Sequence, residues 1–512
     1  MGVRAAELVL NPPRAEPGRI SANATLITPS LGPVDIWIQV PDHYGSSLAT
    51  NADPFVLGTL QRTMVEAELH GFRQLRVRGT VSPSLLDNLE HLQVIWERWS
   101  AVARRPGVRY RRVDIEADDV AEADPPSEPS ATVAAFSGGV DSSFTIYRHL
   151  KRLAGRGNRD VRAAALIHGM EIYLYEAVSF RGAADRAHRL LDGLGLELIE
   201  ISTNLRDLSL LWEDEFGLYV GAVLTLLSGR FGSGLIASSY PYERLALPYG
   251  STPLTDPLMS SAAFEVVHDG AGYDRIEKAQ LLGEWDAARR FLRFCWEGRD
   301  KSRNCGHCQK CITTLLSFRL AGVELDCFDA PVPEEDVHQV IRNMKPAGLR
   351  LEAPQLLLRR ADQLSLQDDW VTWLRERYDR EREHPGSVHD SSSDPSEVQR
   401  GALVPLATEG TRPPLFVVNT VATGATDFEA LARRLGRDQP FYVVQPFVPA
   451  DAAPLPRTIK SIAQRCLREI RKVQPHGPFL IGGRAFGALV AYELAVRLEA
   501  AGETVAHVLI RR

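Results

Sequence analysis

The feature that most constrains the fold is a glycine-rich segment between an apolar strand and a helix. The strand is Thr132–Phe136 (TVAAF), the segment is Ser137–Ser143 (SGGVDSS), and the helix follows from Phe144 to Leu153. Glycines let a backbone approach a phosphate closely, and the first N–H groups of a helix attract an anion. The arrangement therefore predicts an anion site at the end of a strand in an α/β domain.

The polar side chains of this segment suggest how the site would bind a nucleotide. The hydroxyl groups of Ser137, Ser142 and Ser143 offer donors to a phosphate. Because the carboxylate of Asp141 repels an anion, we expect it to hold Mg²⁺ that bridges the phosphates. The lysine of a Walker A motif is absent from the segment. A capped turn that binds no ligand is the alternative interpretation.

Four of the six cysteines of the chain are clustered near residue 300. Cys305, Cys308 and Cys311 follow a CxxCxxC spacing, and Cys295 precedes them. Such spacing folds thiolates around one ion, for which Zn²⁺ is the first choice and an iron–sulfur cluster the second. We expect a closed, structural site, in which His307 could replace one thiolate. Free cysteines and a redox-active pair are the alternatives.

The two motifs together resemble those of known enzymes. The segment at 137–143 resembles the SGGxDS motif of the PP-loop ATP pyrophosphatases. With the later cysteines, the stretch from 131 to 325 resembles the 7-cyano-7-deazaguanine synthase family. The resemblance implies cleavage of ATP to AMP and pyrophosphate, an adenylate intermediate and the addition of nitrogen. ATP, Mg²⁺ and Zn²⁺ are the implied cofactors.

The resemblance also implies roles for individual residues. Catalytic roles fall on Asp141, Ser142 and Lys278, because Ile276–Ala279 corresponds to a lysine-containing helix of the family. His168 ends the strand at which the family binds adenine. The other nucleotide-binding residues form the loop itself: Ser137, Gly138, Gly139, Val140, Asp141, Ser142 and Ser143. The implied zinc ligands are Cys295, Cys305, Cys308 and Cys311.

Two segments depart from the substrate pocket of that family. They are Tyr240–Ser260 and His268–Gly270. We therefore expect the chemistry to carry over and the substrate to differ. His268, Asp269 and Lys278 are candidates for the pocket, and ordinary loop or surface positions are the alternative for each.

Two polar stretches divide the chain into three predicted domains. Residues 118–130 and 383–400 are rich in proline, serine and charge, and they read as linkers. They separate an N-terminal small α/β domain (1–117), a central domain (131–380) and a C-terminal domain (401–512). We expect the central domain to be a doubly wound parallel sheet of the PP-loop (HUP-like) type that carries the zinc knuckle.

The N-terminal domain shows the patterns of strands and helices, but its residues do not indicate a function. Residues 34–40 (VDIWIQV) and 74–77 read as strands, and a helix begins at Ser82 and Pro83. The apolar side chains of that helix recur on one face, which predicts core rather than a binding site. They are Leu85, Leu89, Leu92 and Trp96.

The C-terminal domain resembles the thioesterase domains of nonribosomal peptide synthetases. Strands at 415–418, 441–444, 479–481 and 507–510 alternate with helices, which predicts a parallel sheet. The segment Gly482–Gly487 (GGRAFG) resembles the nucleophile elbow of that family, but Ala485 stands in place of the serine nucleophile. Asn419–Thr423 departs from the family near the oxyanion hole, and the strands that would carry the acid and histidine would follow Arg512.

We therefore expect a truncated, inactive α/β-hydrolase-like domain. Its open sheet edge and apolar surface favour a partner, such as a carrier protein, a neighbouring enzyme or a second copy of the chain. An engineered Ala485 in a shortened chain is the alternative.

Composition excludes some classes of function but does not identify a substrate. A net charge of −6 and the lack of a basic run with interleaved aromatics argue against nucleic acid. No apolar run approaches the ~20 residues that span a bilayer, and no signal peptide is evident, so we expect a cytoplasmic protein.

The predicted function is adenylation of a carboxylate or amide carbonyl in specialised metabolism. A nitrogen or sulfur nucleophile would then displace AMP to give an amide, nitrile or thioamide. Modification of a protein or nucleic acid by the same chemistry, and a non-catalytic nucleotide-binding scaffold, are the alternatives.

Overall fold

The computed structural model of the chain forms two compact units. It describes residues 5–102, 108–245, 247–298, 300–344, 352–383, 403–419, 428–436, 438–445, 459–484 and 486–511. The first unit contains the described residues up to 383, and the second contains those from 403 onward. Among these residues, no helix combines the length and the apolar character needed to cross a membrane.

Strands and helices alternate through both units. The strands are β1 (Ala6–Glu16), β2 (Arg19–Thr28), β3 (Gly32–Pro41), β4 (Gln74–Val81), β5 (Asp114–Val120), β6 (Glu128–Ala135), β7 (Asp160–His168), β8 (Glu197–Thr203), β9 (Phe231–Ala237), β10 (Glu265–Asp269), β11 (Leu403–Ala407), β12 (Leu415–Val418), β13 (Phe441–Val444), β14 (Phe479–Arg484) and β15 (Val505–Arg511). The helices are α1 (Asp53–His70), α2 (Pro83–Val102), α3 (Val140–Leu150), α4 (Ala177–Leu191), α5 (Trp212–Thr225), α6 (Arg275–Gly283), α7 (Asp286–Phe291), α8 (Gln309–Leu320), α9 (Glu334–Arg342), α10 (Glu352–Gln363), α11 (Asp369–Glu383), α12 (Glu429–Leu435), α13 (Ile459–Val473) and α14 (Phe486–Ala500).

The centre of the first unit is a block of five parallel strands in the order β10-β9-β6-β7-β8. Short apolar strands such as β6 and β7 suit this position, because a parallel sheet is covered by helices on both faces. The glycine-rich segment follows β6 at the carboxyl end of the block. The mixed α/β architecture with a large, mostly parallel central sheet agrees with the sequence prediction. Helix α3 starts at Val140, inside the motif and earlier than the predicted Phe144.

The N-terminal strands continue the same sheet. Strand β3 pairs antiparallel with β8, and the complete order is β10-β9-β6-β7-β8-β3-β2-β1-β4-β5. The side chain of Asn204 accepts from the backbone N–H of Trp37 at 2.9 Å, and Thr203 donates to the Trp37 carbonyl at 2.7 Å. The division predicted at residue 117 therefore does not separate two compact units, because a shared sheet edge joins both sides.

Six of the thirteen residues of the predicted first linker lie in strands. Residues 114–120 form β5, which pairs in parallel with β4 at the end of the sheet, and β6 begins at Glu128. Most side chains of β5 are exposed. An exposed edge strand tolerates the same acidic and polar composition as a linker, so composition could not distinguish the two. The second predicted linker, 383–400, lies almost wholly outside the described residues.

The predicted core face of α2 is confirmed. Its apolar stripe is fully buried: Leu85, Leu89, Leu92 and Trp96. Ser82, however, uses its hydroxyl to donate to Asp53 of α1 at 2.6 Å, and its backbone N–H donates to the same carboxylate at 2.9 Å. The start of α2 is therefore fixed to α1 by a buried carboxylate.

The second unit contains a five-stranded sheet in the order β11-β13-β12-β14-β15. Strands β13, β12, β14 and β15 are parallel, as the sequence predicts, and β11 adds an antiparallel edge that the sequence analysis missed. Helices α13 and α14 cover buried apolar side chains of this sheet. Ala485 and residues 420–423, to which the sequence analysis assigned departures from a thioesterase, lie outside the described residues.

Because α5 is closely packed at Gly217, we expect one methyl group added there to destabilise the fold strongly. A Cβ on Gly217 would lie 1.8 Å from the carbonyl oxygen of Gly250, which is backbone and cannot move aside cheaply. We expect Gly217→Ala to lower the free energy of unfolding by about 3 kcal/mol. Chemical denaturation followed by circular dichroism measures this change.

Gly157→Ala is the matched control, because no atom lies within 4 Å of its added Cβ. It should change stability by less than about 0.5 kcal/mol. Equal stability of the two variants would contradict the close approach of α5 to residue 250.

Candidate functional site

A left-handed glycine and two serine hydroxyl groups set the shape of the glycine-rich loop. Gly138 has φ +73°, a conformation that side-chain-bearing residues rarely adopt, and Gly139 is the extended N-cap of α3. The hydroxyl of Ser142 accepts from the backbone N–H of Ser137 at 3.2 Å, and the hydroxyl of Ser137 accepts from Gly139 at 3.3 Å. These bonds curl the loop in front of the first turn of α3, where N–H groups have no intrahelical acceptor.

Two basic side chains of α6 bind Asp141 in that first turn. Arg275 donates to one carboxylate oxygen at 2.6 Å, and Lys278 donates to the other at 3.0 Å. Lys278 is almost fully buried and also donates to the carbonyl of Ser238 at 2.6 Å. Burial alone would raise the pKa of Asp141, but the charges of Arg275, Lys278 and Lys310 outweigh it and hold the pKa at about 2.

A third cation, Arg293, binds two carbonyl groups of the loop. Its guanidinium donates to the carbonyl of Ser137 at 2.8 Å, and its backbone N–H donates to the carbonyl of Gly138 at 2.8 Å. The side chain is 4% exposed and lies 3.5 Å from the carboxylate of Glu171. Arg293 thus binds the carbonyl groups of two consecutive loop residues, Ser137 and Gly138.

A fourth cation, Lys310, lies at the start of α8. Burial lowers its pKa, and the charges of Glu171 and Asp141 oppose that effect. Its ammonium also lies 3.8 Å from the ring centre of Trp296. Burial would raise the pKa of Glu171, but the charges of Lys310 and Arg293 lower it. Four cations and two carboxylates therefore lie around one helix N-terminus, with an excess of positive charge.

The four clustered cysteines have the geometry of a tetrahedral metal site. The ligand atoms of Cys295, Cys305, Cys308 and Cys311 all lie within 4.8 Å of one another. The sulfur of Cys295 is 3.9 Å from that of Cys308, and the sulfur of Cys305 is 3.8 Å from that of Cys311. A tetrahedron of thiolates around zinc, with Zn–S bonds near 2.3 Å, has edges of about 3.8 Å. The four sulfurs could therefore hold one metal ion.

The cysteine cluster is connected to the loop through Asn304. Its side-chain oxygen accepts from the backbone N–H groups of Phe294 and Cys295 at 3.0 and 3.3 Å. Its side-chain nitrogen donates to the carbonyls of Leu292 and Cys327 at 2.8 and 3.1 Å. Because these bonds flank Arg293 on both sides, the backbone that carries Arg293 is fixed by the same residues that shape the cluster.

The other predicted nucleotide-binding residues lie at or beneath the same strand ends. His168 ends β7, where its Nε2 lies 2.9 Å from the carbonyl oxygen of Tyr173 and its ring stacks on Phe180. Burial lowers the pKa of this histidine. Ser143 is fully buried, and its hydroxyl has no hydrogen-bond partner among the described residues. The sequence predicts an accessible hydroxyl donor at Ser143, whereas in the structure this hydroxyl is buried.

Asp269, a candidate pocket residue, serves the packing of α3 instead. Its carboxylate accepts from Thr145 at 2.9 Å and from Arg148, and it lies 3.1 Å from Nε2 of His149. Burial raises its pKa, but these partners outweigh the effect and lower it. His268, the adjacent residue, points to the opposite face of β10 and binds Asp256.

Four charged residues of the site were missed from the sequence: Glu171, Arg275, Arg293 and Lys310. Lys310 lies within the CxxCxxC motif, and Arg293 lies two positions before Cys295. Basic residues next to a metal-binding motif are a sequence signal that could have identified both side chains. Glu171 carries no comparable signal, because only the end of β7 brings it to the loop.

One family model matches the chain. The thioesterase domain family matches residues 413–511, which lie in the second unit. The chain is 39% identical over 113 residues to CymA of Salinispora arenicola, which is described as a "probable non-canonical nonribosomal peptide synthetase". That match covers 22% of this chain and 2% of CymA. The chain is also 38% identical over 104 residues to indigoidine synthase of Dickeya dadantii, covering 20% of this chain and 7% of that enzyme.

The family model and CymA show that the C-terminal region is similar to thioesterase domains of nonribosomal peptide synthetases. Among solved structures, the NocB thioesterase domain from the nocardicin cluster has 30% sequence identity with the chain, and the match covers 21% of this chain and 49% of that domain, with a TM-score of 0.19. The chain spans only a small fraction of its curated relatives, between 2% and 7% of the two described above.

The cations around Asp141 predict a pH-dependent contribution to stability. Since the pKa of Asp141 is lowered to about 2 in the folded chain, its pairing stabilises the fold above the unfolded value near 4. That contribution is lost as the pH falls towards 2. We expect Asp141→Asn to cost roughly 2 kcal/mol at pH 6 and progressively less below pH 4.

Denaturant unfolding of both proteins across this pH range measures the difference. Asp286→Asn removes an exposed carboxylate of α7 and controls for the loss of one negative charge. A cost of Asp141→Asn that does not change with pH would contradict the charge pairing.

Proposed function

We propose that the first unit binds ATP at the Ser137–Ser143 loop and uses it to adenylate a carbonyl oxygen. The observation that carries this proposal is the gathering of four cations around the N-terminus of α3, in front of a glycine-rich loop. Phosphates are the common biological anions that suit both backbone N–H groups and several cations at once. The resemblance of the loop to PP-loop ATP pyrophosphatases supports adenine nucleotide as the source of those phosphates.

The proposed reaction begins when a carboxylate or amide oxygen of the substrate attacks the α-phosphorus of ATP. Pyrophosphate leaves, and a nitrogen or sulfur nucleophile then displaces AMP. Lys278, Arg275 and Lys310 would stabilise the negative charge that develops on the phosphate oxygens. Both oxygens of Asp141 already accept from cations, so Mg²⁺ would bind this carboxylate in exchange with Lys278 or Arg275. Catalysis then rests on positioning and electrostatics.

The cysteine cluster is proposed to hold a structural Zn²⁺. The four sulfurs leave no open coordination position, so the ion would not contact substrate. Its role would be to fix the start of α8, where Cys308 caps the helix by accepting from the backbone N–H of Cys311 at 3.4 Å. Lys310 lies between these two cysteines. The metal would thereby position a cation of the ATP site.

The second unit is proposed to be a catalytically inactive docking domain. Its likeness to thioesterase domains of peptide synthetases points to an acyl group carried on a carrier protein, and Ala485 offers no nucleophile. On α14, Leu489, Tyr492 and Val496 are exposed. These side chains recur on one helical face and would suit an apolar partner surface. The relatives make the wider proposal coherent, because peptide synthetases also activate carboxylates.

The ATP proposal predicts pyrophosphate release that depends on the cations of the site. We expect phosphorus NMR to show AMP and pyrophosphate when the protein, ATP and Mg²⁺ are mixed with ammonium chloride and one member of a panel of acetate, hexanoate, benzoate and glycine. Lys310→Met should reduce the rate about 100-fold, because it removes a positive charge that would stabilise the developing pyrophosphate.

Lys151→Met is the matched control, because Lys151 is exposed at the far end of α3. It should react like the wild type. ADP and phosphate as products, or equal rates for both variants, would contradict the proposed reaction.

The metal proposal predicts about one zinc ion per chain by atomic absorption. Cys308→Ser should lose the ion and lower the thermal midpoint, since the binding of a structural metal contributes to folding. Cys466→Ser is the control, because Cys466 is buried in the second unit outside the cluster. Full zinc content in Cys308→Ser would refute a four-cysteine site.

A further inference from the structure

A buried trio of Ser251, Asp256 and His268 lies outside the phosphate site. Nδ1 of His268 is 2.7 Å from one oxygen of Asp256, and the hydroxyl of Ser251 donates to the same oxygen at 2.6 Å. The side chains of Asp256 and His268 are 0% and 3% exposed. The other ring nitrogen, Nε2 of His268, is buried and has no hydrogen-bond partner among the described residues.

The unpaired nitrogen has a defined chemical character. A carboxylate can only accept, so the Nδ1 atom that faces Asp256 carries the proton. In the neutral imidazole Nε2 is then a free lone pair. A buried polar atom without a partner costs about 1–3 kcal/mol, and such atoms are rare enough to require an explanation. An imidazole whose Nδ1–H is held by a carboxylate is oriented to accept a proton at Nε2.

The trio is adjacent in the fold to the proposed ATP site. His268 is the penultimate residue of β10, and the carbonyl of the next residue, Asp269, accepts from the backbone N–H of Ser238 at 2.7 Å. The carbonyl of Ser238 in turn binds Lys278, which binds Asp141. His268 is therefore connected to Asp141 through one strand end.

The loop that carries Ser251 lies within electrostatic range of Asp141. Burial raises the pKa of Tyr249, two residues earlier, and the charge of Asp141 contributes to that shift. The ring of Tyr249 packs edge-on against Phe216 at 5.2 Å and against Tyr240 at 5.1 Å. Tyr249, Phe216 and Tyr240 thus form a half-buried aromatic cluster. A substrate with its activated end at Asp141 would meet His268 if it lay along this cluster.

We propose that Nε2 of His268 accepts the proton of a nitrogen nucleophile that attacks the adenylate; this rests on the proposed function. Ammonia or a primary amine forms a C–N bond to the acyl carbon. The C–O bond to the phosphate breaks, and AMP leaves with the electron pair. The nitrogen gives one proton to Nε2, so the products are an amide, AMP and an imidazolium that later releases its proton to solvent.

A base in this position favours nitrogen over sulfur. An amine that adds to an acyl carbon becomes positively charged and must lose a proton before AMP leaves. A sulfur nucleophile reacts as the anion and need not lose a proton before AMP leaves. The trio therefore selects between the two nucleophile classes that the loop motif leaves open.

Measurement of the two half-reactions separately tests the proposal. Exchange of labelled pyrophosphate into ATP reports adenylation, and amide formation from ammonium chloride reports the second step. Both use the panel carboxylate that gives the fastest exchange. We expect His268→Gln to retain exchange within about 2-fold and to lose amide formation by about 100-fold or more. Hydroxylamine, which attacks adenylates without a base, should give wild-type amounts of hydroxamate with this variant.

His188→Gln is the matched control, because His188 is largely exposed on α4. It should leave both half-reactions unchanged. Equal losses of exchange and amide formation in His268→Gln would show a structural role and overturn the proposal. Should that variant fail to fold, Asp256→Asn decides in the same assay, with a selective loss of amide formation expected. Absence of exchange in the wild-type protein would overturn the adenylation proposal itself.

Discussion

The pairing of Asp141 with Arg275 and Lys278 is the interaction on which the site depends. Without a carboxylate between them, the two cations would repel each other and the positive end of the α3 dipole. Asp141 therefore holds them close to the loop before any anion arrives. Arg293 and Lys310 add two further positive charges, balanced in part by Glu171. The arrangement is preorganised, so binding an anion requires little movement of charge, which is the condition for strong electrostatic stabilisation.

The sequence predicted those parts of the molecule that local patterns determine. The loop at Ser137–Ser143, the cluster of four cysteines, the buried stripe of α2 and the parallel strands of the second unit all follow from spacing and periodicity over a few residues. The structure also brings Lys278 to Asp141, two residues to which the family resemblance assigns catalytic roles. Arg275 and Arg293 could not be predicted in this way. They reach the loop from more than a hundred positions away in sequence, and only the order of the strands brings them there.

The domain boundary near residue 117 shows a second limit of sequence patterns. An acidic, proline-rich stretch reads as a linker because it has little to bury, yet an edge strand has the same freedom on its exposed side. The pairing of β3 with β8 makes the N-terminal strands part of the same sheet as β6, which the glycine-rich loop follows. Adjacent residues of one strand can also serve different purposes. Asp269 anchors α3, while His268 binds Asp256, because successive side chains of a strand alternate between its two faces.

The bonds of Asn304 have a thermodynamic consequence for the whole first unit. The same side chain holds the backbone on both sides of Arg293 and the backbone of Cys295, so the cysteine cluster and the phosphate loop share one mechanical element. Two sites that bias one element are coupled, and coupling free energy is reciprocal. If the cluster holds the proposed metal ion and the loop the proposed nucleotide, each ligand would change the affinity for the other by the same factor. The affinity for ATP would then depend on the supply of the metal.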